Sequence, residues 1–283
     1  MSAADPLVIA TRTWGARAVP FNGQGELFAT AAITAILRLL EQSAMLRSVM
    51  LLSGENGVGK SALAGRWLRS LEPKCYLPIS ITQASLGGHG LLAYFIQKLG
   101  KAPSLMRHAN LKLFEQAFAE LGAITPVLVI DEAQNLSVSA LEEVRMLLGL
   151  NLAEQPAFAL ILVGDSYLIN TLRLRSHRAL YSRIAVECRL PPLTREEVMP
   201  YLLHQLRLVG LDRDIFEPAA IELLAAASEG VARTLNLLAR EAWIRAAADR
   251  SSKIIPAHVQ AAIEQVPGAL HGRRNQSSSL PEE

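Results

Sequence analysis

The chain of 283 residues is 51% hydrophobic and 19% charged. This composition excludes disorder over most of its length and suffices for one sizeable core with a small satellite domain. The net charge of +2 points to neither nucleic acid nor membrane, so any basic surface must be local. Two cysteines, Cys75 and Cys188, are too few for a disulfide framework or a zinc site, and we expect both to be buried. Because no apolar run approaches the ~18 residues of a membrane span and no secretory signal opens the chain, we expect a cytoplasmic protein without a membrane partner.

The first two thirds of the chain alternate between strand and helix patterns. Residues 1–25 contain Pro6, Pro20 and several glycines and are expected to be an irregular segment, whereas 26–46 have helical apolar spacing. Short apolar runs without polar alternation then predict strands at 49–52, 76–81, 127–130, 159–163 and 185–190, separated by helices. Such an order is typical of a parallel sheet covered on both faces by helices, an α/β fold with three αβα layers.

The pattern changes after Pro191 and Pro192. Thr194 and Glu197 form a capping-box sequence that opens a helix, and three further helices are predicted after it, with no strand. We therefore predict a nucleotide-binding core over 26–192, a helical lid over 193–268 and a flexible tail over 269–283.

A glycine-rich loop joins the first predicted strand to a helix. Residues 54–61 fit the pattern G-x-x-x-x-G-K-[ST] in the strand–loop–helix context that the pattern requires. Glycines let several backbone N–H groups point at one anion, and the helix N-terminus adds partial positive charge. The sequence therefore predicts an ATP site with Mg²⁺, bound by Gly54, Glu55, Asn56, Gly57, Val58, Gly59, Lys60, Ser61 and Ala62. Lys60 would reach the β- and γ-phosphates, and Ser61 would ligate the metal.

Two carboxylates follow the third predicted strand. Asp131 is expected to hold Mg²⁺ through water and so to line the nucleotide site. Glu132 is expected to polarise a water for attack on the γ-phosphate. The acid pair therefore favours ATP hydrolysis to ADP and phosphate over transfer to a small acceptor.

A further set of polar residues follows the fourth predicted strand. Asp165 or Ser166 is a candidate for touching the γ-phosphate or the attacking water, and each is equally a candidate helix cap. The basic stretch after them offers three interpretations: an arginine finger for a neighbouring subunit, a phosphate-backbone surface, or simply a solvated basic helix. Arg183 lies directly before the last strand. Arg233, at the start of a lid helix, could reach the γ-phosphate.

Together these residues resemble the AAA+ ATPases, in particular the ExeA-type branch that includes the transposon ATPases related to TniB, TnsC and MuB. The resemblance is carried by "GENGVGKS", "VLVIDEAQNL", "LILVGDSYL", "LPPLTREEV" and "EGVAR", and it covers roughly residues 16–265. It implies a five-stranded sheet of order 5-1-4-3-2, a small helical lid, and assembly into rings or helical filaments.

The resemblance also implies roles for single residues. Arg183 matches the family's finger, Arg233 its lid sensor, and Phe21 its N-terminal contact near the adenine. The chain departs from the family in having Asp165 where an amide or small polar residue is usual and Ala232 where proline is usual, which leaves both sensor positions open and allows for slow hydrolysis.

For the biological role, the resemblance favours an oligomer that binds double-stranded DNA without sequence specificity and recruits a transposase, with a target-selection protein as a further partner. Lys98, Lys101, Arg107 and Lys112 are the candidate DNA contacts, with His108 beside them. Two alternatives stay open: an ExeA-like secretion or envelope ATPase with a membrane partner, and a nucleotide-dependent oligomeric switch that ignores DNA.

Overall fold

The computed structural model describes residues 5–23, 25–82, 86–150 and 156–266. Contacts divide the chain into two compact units. The α/β unit comprises Ala31–Glu55 and Lys60–Leu190, and the helical unit comprises Met1–Thr30, Asn56–Gly59 and Pro191–Glu283. The predicted tail over 269–283 lies outside the described residues.

The regular elements are as follows in chain order. The strands are β1 (Val49–Ser53), β2 (Tyr76–Ile81), β3 (Thr125–Ile130), β4 (Ala159–Gly164) and β5 (Ile184–Arg189). The helices are α1 (Pro6–Trp14), α2 (Ala31–Met45), α3 (Lys60–Ser70), α4 (Gly88–Lys98), α5 (Arg107–Leu121), α6 (Val138–Leu147), α7 (Ser166–Arg173), α8 (Arg178–Tyr181), α9 (Arg195–Arg207), α10 (Pro218–Ser228), α11 (Ala232–Ala248) and α12 (Pro256–Gln265).

The five strands form one parallel sheet in the order β2-β3-β4-β1-β5. This confirms the order 5-1-4-3-2 that the resemblance implied. β1 and β4 are buried at every residue, and β3 at every residue after Thr125, because helices cover both faces of a parallel sheet. β5 alternates between half-buried and exposed residues, as befits an edge strand.

The helical unit has its own apolar core around Trp243, which is fully buried in α11. Both halves of the predicted capping box are present at α9: the Thr194 side chain accepts from the Glu197 backbone, and the Glu197 carboxylate accepts from Thr194 N–H at 2.9 Å. α10 and α12 both start on proline, which lacks the N–H that a helix start leaves unpaired. Among the described residues after Leu190 there is no further strand, only a bridge between Phe216 and Ile254.

The start of the chain is helical, so the expectation of an irregular segment over 1–25 was wrong. Asp5 caps α1 by accepting from Leu7 N–H at 2.9 Å, and Gly15 ends it in the left-handed conformation. Trp14 is 3% exposed, and its indole Nε1 donates to the Trp243 carbonyl at 3.0 Å. The segment belongs to the helical unit because its Trp14 face completes that unit's core.

The two cysteines differ in environment. Cys75 is exposed, contrary to the expectation that both are buried, because it sits in the turn before β2. Cys188 is partly covered within β5, and burial raises the pKa of its thiol to about 11, with a smaller contribution from Glu187. Across the ranges that the structure describes, no group of three His, Cys, Asp or Glu side chains could hold a metal ion. No helix in the same ranges has both the length and the apolar character of a membrane span.

Replacing Trp14 by alanine is expected to destabilise the helical unit by about 3 kcal/mol, because it empties a large buried site and removes the bond to the Trp243 carbonyl. Urea unfolding followed by circular dichroism measures this change. Thr13→Ala, at the exposed neighbouring position of α1, is the control and should stay within about 0.5 kcal/mol of the unmodified protein. Equal stability of the two variants would contradict the role given to α1.

Candidate nucleotide-binding site

The loop after β1 leads directly into α3, whose first residue is Lys60. The Lys60 side chain is 7% exposed and turns back over the loop, where Nζ donates to the carbonyls of Gly54 and Glu55, both at 2.9 Å. Ser61 and Ala62 follow in the first turn and are exposed. A charged ammonium is thus placed beside a helix N-terminus, and the two together form an arrangement that binds phosphate.

The tip of this loop needs glycine. Gly57 has φ +93°, and a Cβ built on it would lie 2.9 Å from Arg233 Cβ and 3.0 Å from Val231 Cγ1. The Gly57 carbonyl accepts from Arg233 N–H at 3.0 Å. The loop tip and the start of α11 therefore pack closely within the helical unit. α11 begins at Ala232 although proline is absent there, and the Arg233 side chain is exposed.

The predicted acids lie at the carboxyl end of β3. Asp131 N–H donates to the Ile81 carbonyl of β2 at 2.8 Å, so it continues the sheet pairing. Its Oδ1 accepts from Glu132 N–H at 3.0 Å. Glu132 adopts φ +51° and ψ +40°, a conformation that non-glycine residues rarely adopt, and its Oε2 accepts from Gln134 Nε2 at 2.5 Å. β4 lies between β1 and β3, and all three strands are parallel. The glycine loop, the two acids and the end of β4 therefore lie along the edge of the sheet that is formed by the carboxyl ends of the strands.

Asp165, directly after β4, is the N-cap of α7. Its Oδ1 accepts from Tyr167 N–H at 2.9 Å and from Leu168 N–H at 3.4 Å. Ser166 is the first residue of the helix and is exposed. The structure thus gives Asp165 the capping role that the sequence left open. Sensing of phosphate by either residue stays a prediction.

The five arginines between α7 and the end of β5 have different partners. Arg183 is exposed at the start of the edge strand, and its Nη1 donates to the Arg145 carbonyl at 3.1 Å, in the last turn of α6. Arg173 pairs with Glu187, and Arg189 pairs with Glu55. Arg175 and Arg178 are exposed. The finger role of Arg183 stays a prediction.

Phe21, predicted near the adenine, is 2% exposed within the core of the helical unit. Its ring meets Phe216 edge to face at a centroid distance of 6.1 Å. Packing accounts for this contact, and the nucleotide contact stays a prediction.

The candidate DNA contacts surround the loop between α4 and α5. Lys101 pairs with Glu120, and Arg107 pairs with Glu143, which is only 3% exposed. Lys98 lies over the Tyr94 ring, at 5.1 Å from its centroid. Lys112 and His108 are exposed on α5. Much of the positive charge is therefore balanced by nearby acids, which the sequence did not show.

The same loop carries an apolar tip, Leu105 and Met106, that sequence reasoning missed. Leu105 is 94% exposed and Met106 is 61% exposed. The tip is held by Asn110, a fully buried residue whose amide accepts from Ser104 N–H at 2.6 Å and donates to the Ser104 carbonyl at 2.9 Å. Such side chains are normally withdrawn from water, so a tip fastened in an exposed position is typical of a contact surface.

The residues present fit a magnesium nucleotide. The glycine conformations and the exposed start of α3 suit a phosphate chain, with Lys60 as the counter-charge. The Ser61 hydroxyl and the Asp131 carboxylate are the hard oxygen ligands that Mg²⁺ prefers. Gln134, whose Nε2 donates to the Glu132 carboxylate, is a residue that sequence reasoning missed, although the segment "VLVIDEAQNL" contains it.

The αβα core with its parallel sheet of order β2-β3-β4-β1-β5 is a P-loop fold of the AAA type. Residues 44–172 match the family model described as AAA domain. That match covers the loop after β1, both acids and the end of β4.

A particular relative can be named as well. The chain is 31% identical over 225 residues to general secretion pathway protein A of Aeromonas hydrophila. The aligned segment covers 77% of this chain and 41% of that protein. The chain therefore spans about two fifths of the length of this relative. The finding supports the ExeA-type part of the resemblance and leaves the TniB–TnsC part without support.

Solved structures share the fold at low identity. The ORC1 protein of Aeropyrum pernix in complex with DNA has a TM-score of 0.65 at 20% identity, covering 84% of this chain and 66% of that one. Cdc6p from Pyrobaculum aerophilum has a TM-score of 0.69 at 18% identity, covering 87% and 70%.

Gly57→Ala is expected to weaken the binding of a fluorescent ATP analogue about tenfold, because the loop tip must leave its left-handed conformation and move away from Arg233. Gly65→Ala, inside α3, is the matched control. A Cβ there meets only Arg69 Nη1 at 3.7 Å, and alanine favours a helix. Equal affinities of the two variants would contradict the account of the loop.

Proposed function

We propose that the chain binds ATP with Mg²⁺ and hydrolyses it to ADP and phosphate. The observation that carries this proposal is the meeting, at one edge of the sheet, of a helix N-terminus holding Lys60 with the acid pair that follows β3. Lys60 and the loop N–H groups would bind the phosphates, and Ser61 and Asp131 would hold the metal. Mg²⁺ supplies neutralisation of the phosphate charge when bound.

Glu132 is the proposed general base for the attacking water. It is one of the two acids that directly follow β3, and the other, Asp131, already accepts the Glu132 backbone N–H. A carboxylate positioned to take a proton from water favours hydrolysis over transfer. Asp165, Ser166 and Arg233 are proposed to respond to the γ-phosphate.

Oligomerisation is part of the proposal. Arg183 is exposed beside the edge strand β5 and is tied to the end of α6, so its guanidinium is presented at the surface. A neighbouring copy could use it to stabilise the charge that develops during hydrolysis. This arrangement would place ATP at the contacts of a ring or a helical filament.

Two alternative partners are proposed for this ATPase, each from a different observation. Identity to general secretion pathway protein A supports a role in secretion with an envelope partner. The tip Leu105–Met106, next to Lys112 and His108, supports duplex DNA, because apolar side chains can insert at base steps while cations contact phosphates. The solved ORC1 protein of the same fold is a complex with DNA. Recruitment of a transposase, and of a target-selection protein, would follow DNA binding in this second proposal, and both proposals place the ATPase in the cytoplasm.

Single-turnover hydrolysis and binding of ATP test the enzymatic proposal. Glu132→Gln is expected to bind ATP with unchanged affinity and to lower kcat at least about 100-fold, because the base is lost. Lys60→Ala is expected to lose ATP binding. Glu41→Gln, an exposed acid on α2, is the control and should behave as the unmodified protein. Full activity in Glu132→Gln would overturn the role given to that carboxylate.

DNA binding is tested by titrating the protein onto a labelled random-sequence duplex with an ATP analogue, with ADP and without nucleotide, at several salt concentrations. We expect binding only with the ATP analogue, weakening steeply as salt rises. Lys112→Ala should reduce the salt slope by about one, and Leu105→Ala should weaken binding at all salt concentrations. Val138→Ala, which removes an exposed apolar side chain from α6, is the control.

Absence of binding in every nucleotide state would exclude both DNA and the transposase. The ATPase proposal would stand, and the secretion partner would remain.

A further inference from the structure

Gln134 lies in a short 3₁₀ helix, Ala133–Asn135, that follows the acid pair. Its side-chain Nε2 is 2.5 Å from Glu132 Oε2. The amide must present its N–H₂ group to the carboxylate, because two oxygens facing each other at this distance would repel. Gln134 therefore donates a charge-assisted hydrogen bond, which is stronger and more directional than one between neutral groups.

Glu132 is held from two sides. Its backbone has the left-handed φ of +51°, and its N–H is bound by Asp131 Oδ1 at 3.0 Å. Its carboxylate is bound by Gln134. A left-handed conformation in a residue with a long side chain persists only where surrounding contacts impose it. The backbone and the carboxylate of Glu132 are thus fixed by two separate neighbours.

The far side of the Gln134 amide meets the end of β4. A Cβ built on Gly164 would lie 2.8 Å from Gln134 Oε1 and 2.6 Å from Leu168 Cδ2. That Oε1 is buried and has no hydrogen-bond partner among the described residues. A buried acceptor without a hydrogen bond is unfavourable. We therefore attribute the orientation of this amide to its other end, where Nε2 donates to the Glu132 carboxylate.

We infer that Gln134 is a positioning residue for hydrolysis, which orients the Glu132 carboxylate toward the attacking water. Its amide fits against the end of β4 because Gly164 has no side chain. This inference rests on the proposed ATPase function. It adds a residue that the sequence motifs behind that proposal do not assign to the site. In this role Gln134 acts through its hydrogen bond to Glu132.

The expected consequence is a change in kcat without a change in ATP binding. A general base misplaced by a fraction of an ångström loses much of its effect, because proton transfer depends on geometry. Gln134→Met keeps the length of the side chain and removes the donor, so kcat should fall about tenfold while the Kd for ATP stays within twofold.

Gln134→Glu keeps the shape of the side chain and replaces the donor by a second carboxylate. If Gln134 only fills space, Gln134→Glu and Gln134→Met should alter thermal stability and leave the kcat of the folded protein unchanged. If Gln134 orients Glu132, Gln134→Glu should lower kcat more than Gln134→Met does, since two carboxylates would face each other and repel. We expect the order of kcat to be the unmodified protein, then Gln134→Met, then Gln134→Glu.

The experiment measures kcat, the Kd for ATP and thermal stability for these two variants, with Asn135→Ala at the exposed next position as the control. Gly164→Ala is an additional variant, because the added Cβ would meet both the Gln134 amide and Leu168 without changing Gln134 itself, and it should also lower kcat. Equal kcat in Gln134→Met and the unmodified protein, or a higher kcat in Gln134→Glu than in Gln134→Met, would overturn the inference.

Failure of the proposed function has a different signature. In that case the unmodified protein and Lys60→Ala would show the same rate of ATP hydrolysis, and this inference would fall with it. Clear hydrolysis that depends on Lys60 but not on Gln134 would overturn the inference alone.

Discussion

The parallel pairing of β4 between β1 and β3 is the constraint on which the site depends. Parallel strands leave the sheet at the same edge, so three different connections must emerge side by side there. The first is the glycine loop, the second the acid pair and the third the cap of α7. No long-range polar contact is needed to bring them together, because the apolar strands, buried at almost every residue, fix their spacing.

At the carboxyl ends of these strands, the polar groups of the candidate site form hydrogen bonds with one another and with the backbone. Lys60 binds two carbonyls of its own loop, Asp131 binds the N–H of Glu132, and Gln134 binds its carboxylate. Preorganised groups of this kind lose less conformational freedom when a substrate arrives. The unfavourable features, a left-handed Glu132 and a buried amide oxygen without a partner, are concentrated at the acid that would carry the chemistry.

The loop between α4 and α5 is likewise held in place by polar contacts. Asn110 is buried completely in order to fasten a loop whose tip, Leu105, is almost completely exposed. Arg107 binds the buried Glu143 directly after that tip. Basic residues that the sequence presents as one patch are therefore divided by the structure into those that hold the loop and those, such as Lys112, that face solvent.

The sequence by itself determined the fold class and, through its family resemblance, the strand order. It also selected Lys60, Ser61, Asp131 and Glu132 as candidate site residues, because local patterns indicate them: apolar runs, a glycine loop and acids at a strand end. Tertiary structure decided what depends on distant partners. It packed the helix Pro6–Trp14 against Trp243 and engaged Arg107 and Lys101 in ion pairs. It also brought Gln134 between Glu132 and Gly164. The contacts Trp14–Trp243, Arg107–Glu143, Lys101–Glu120 and Gln134–Gly164 join residues that are not neighbours in the chain, and no local pattern specifies them.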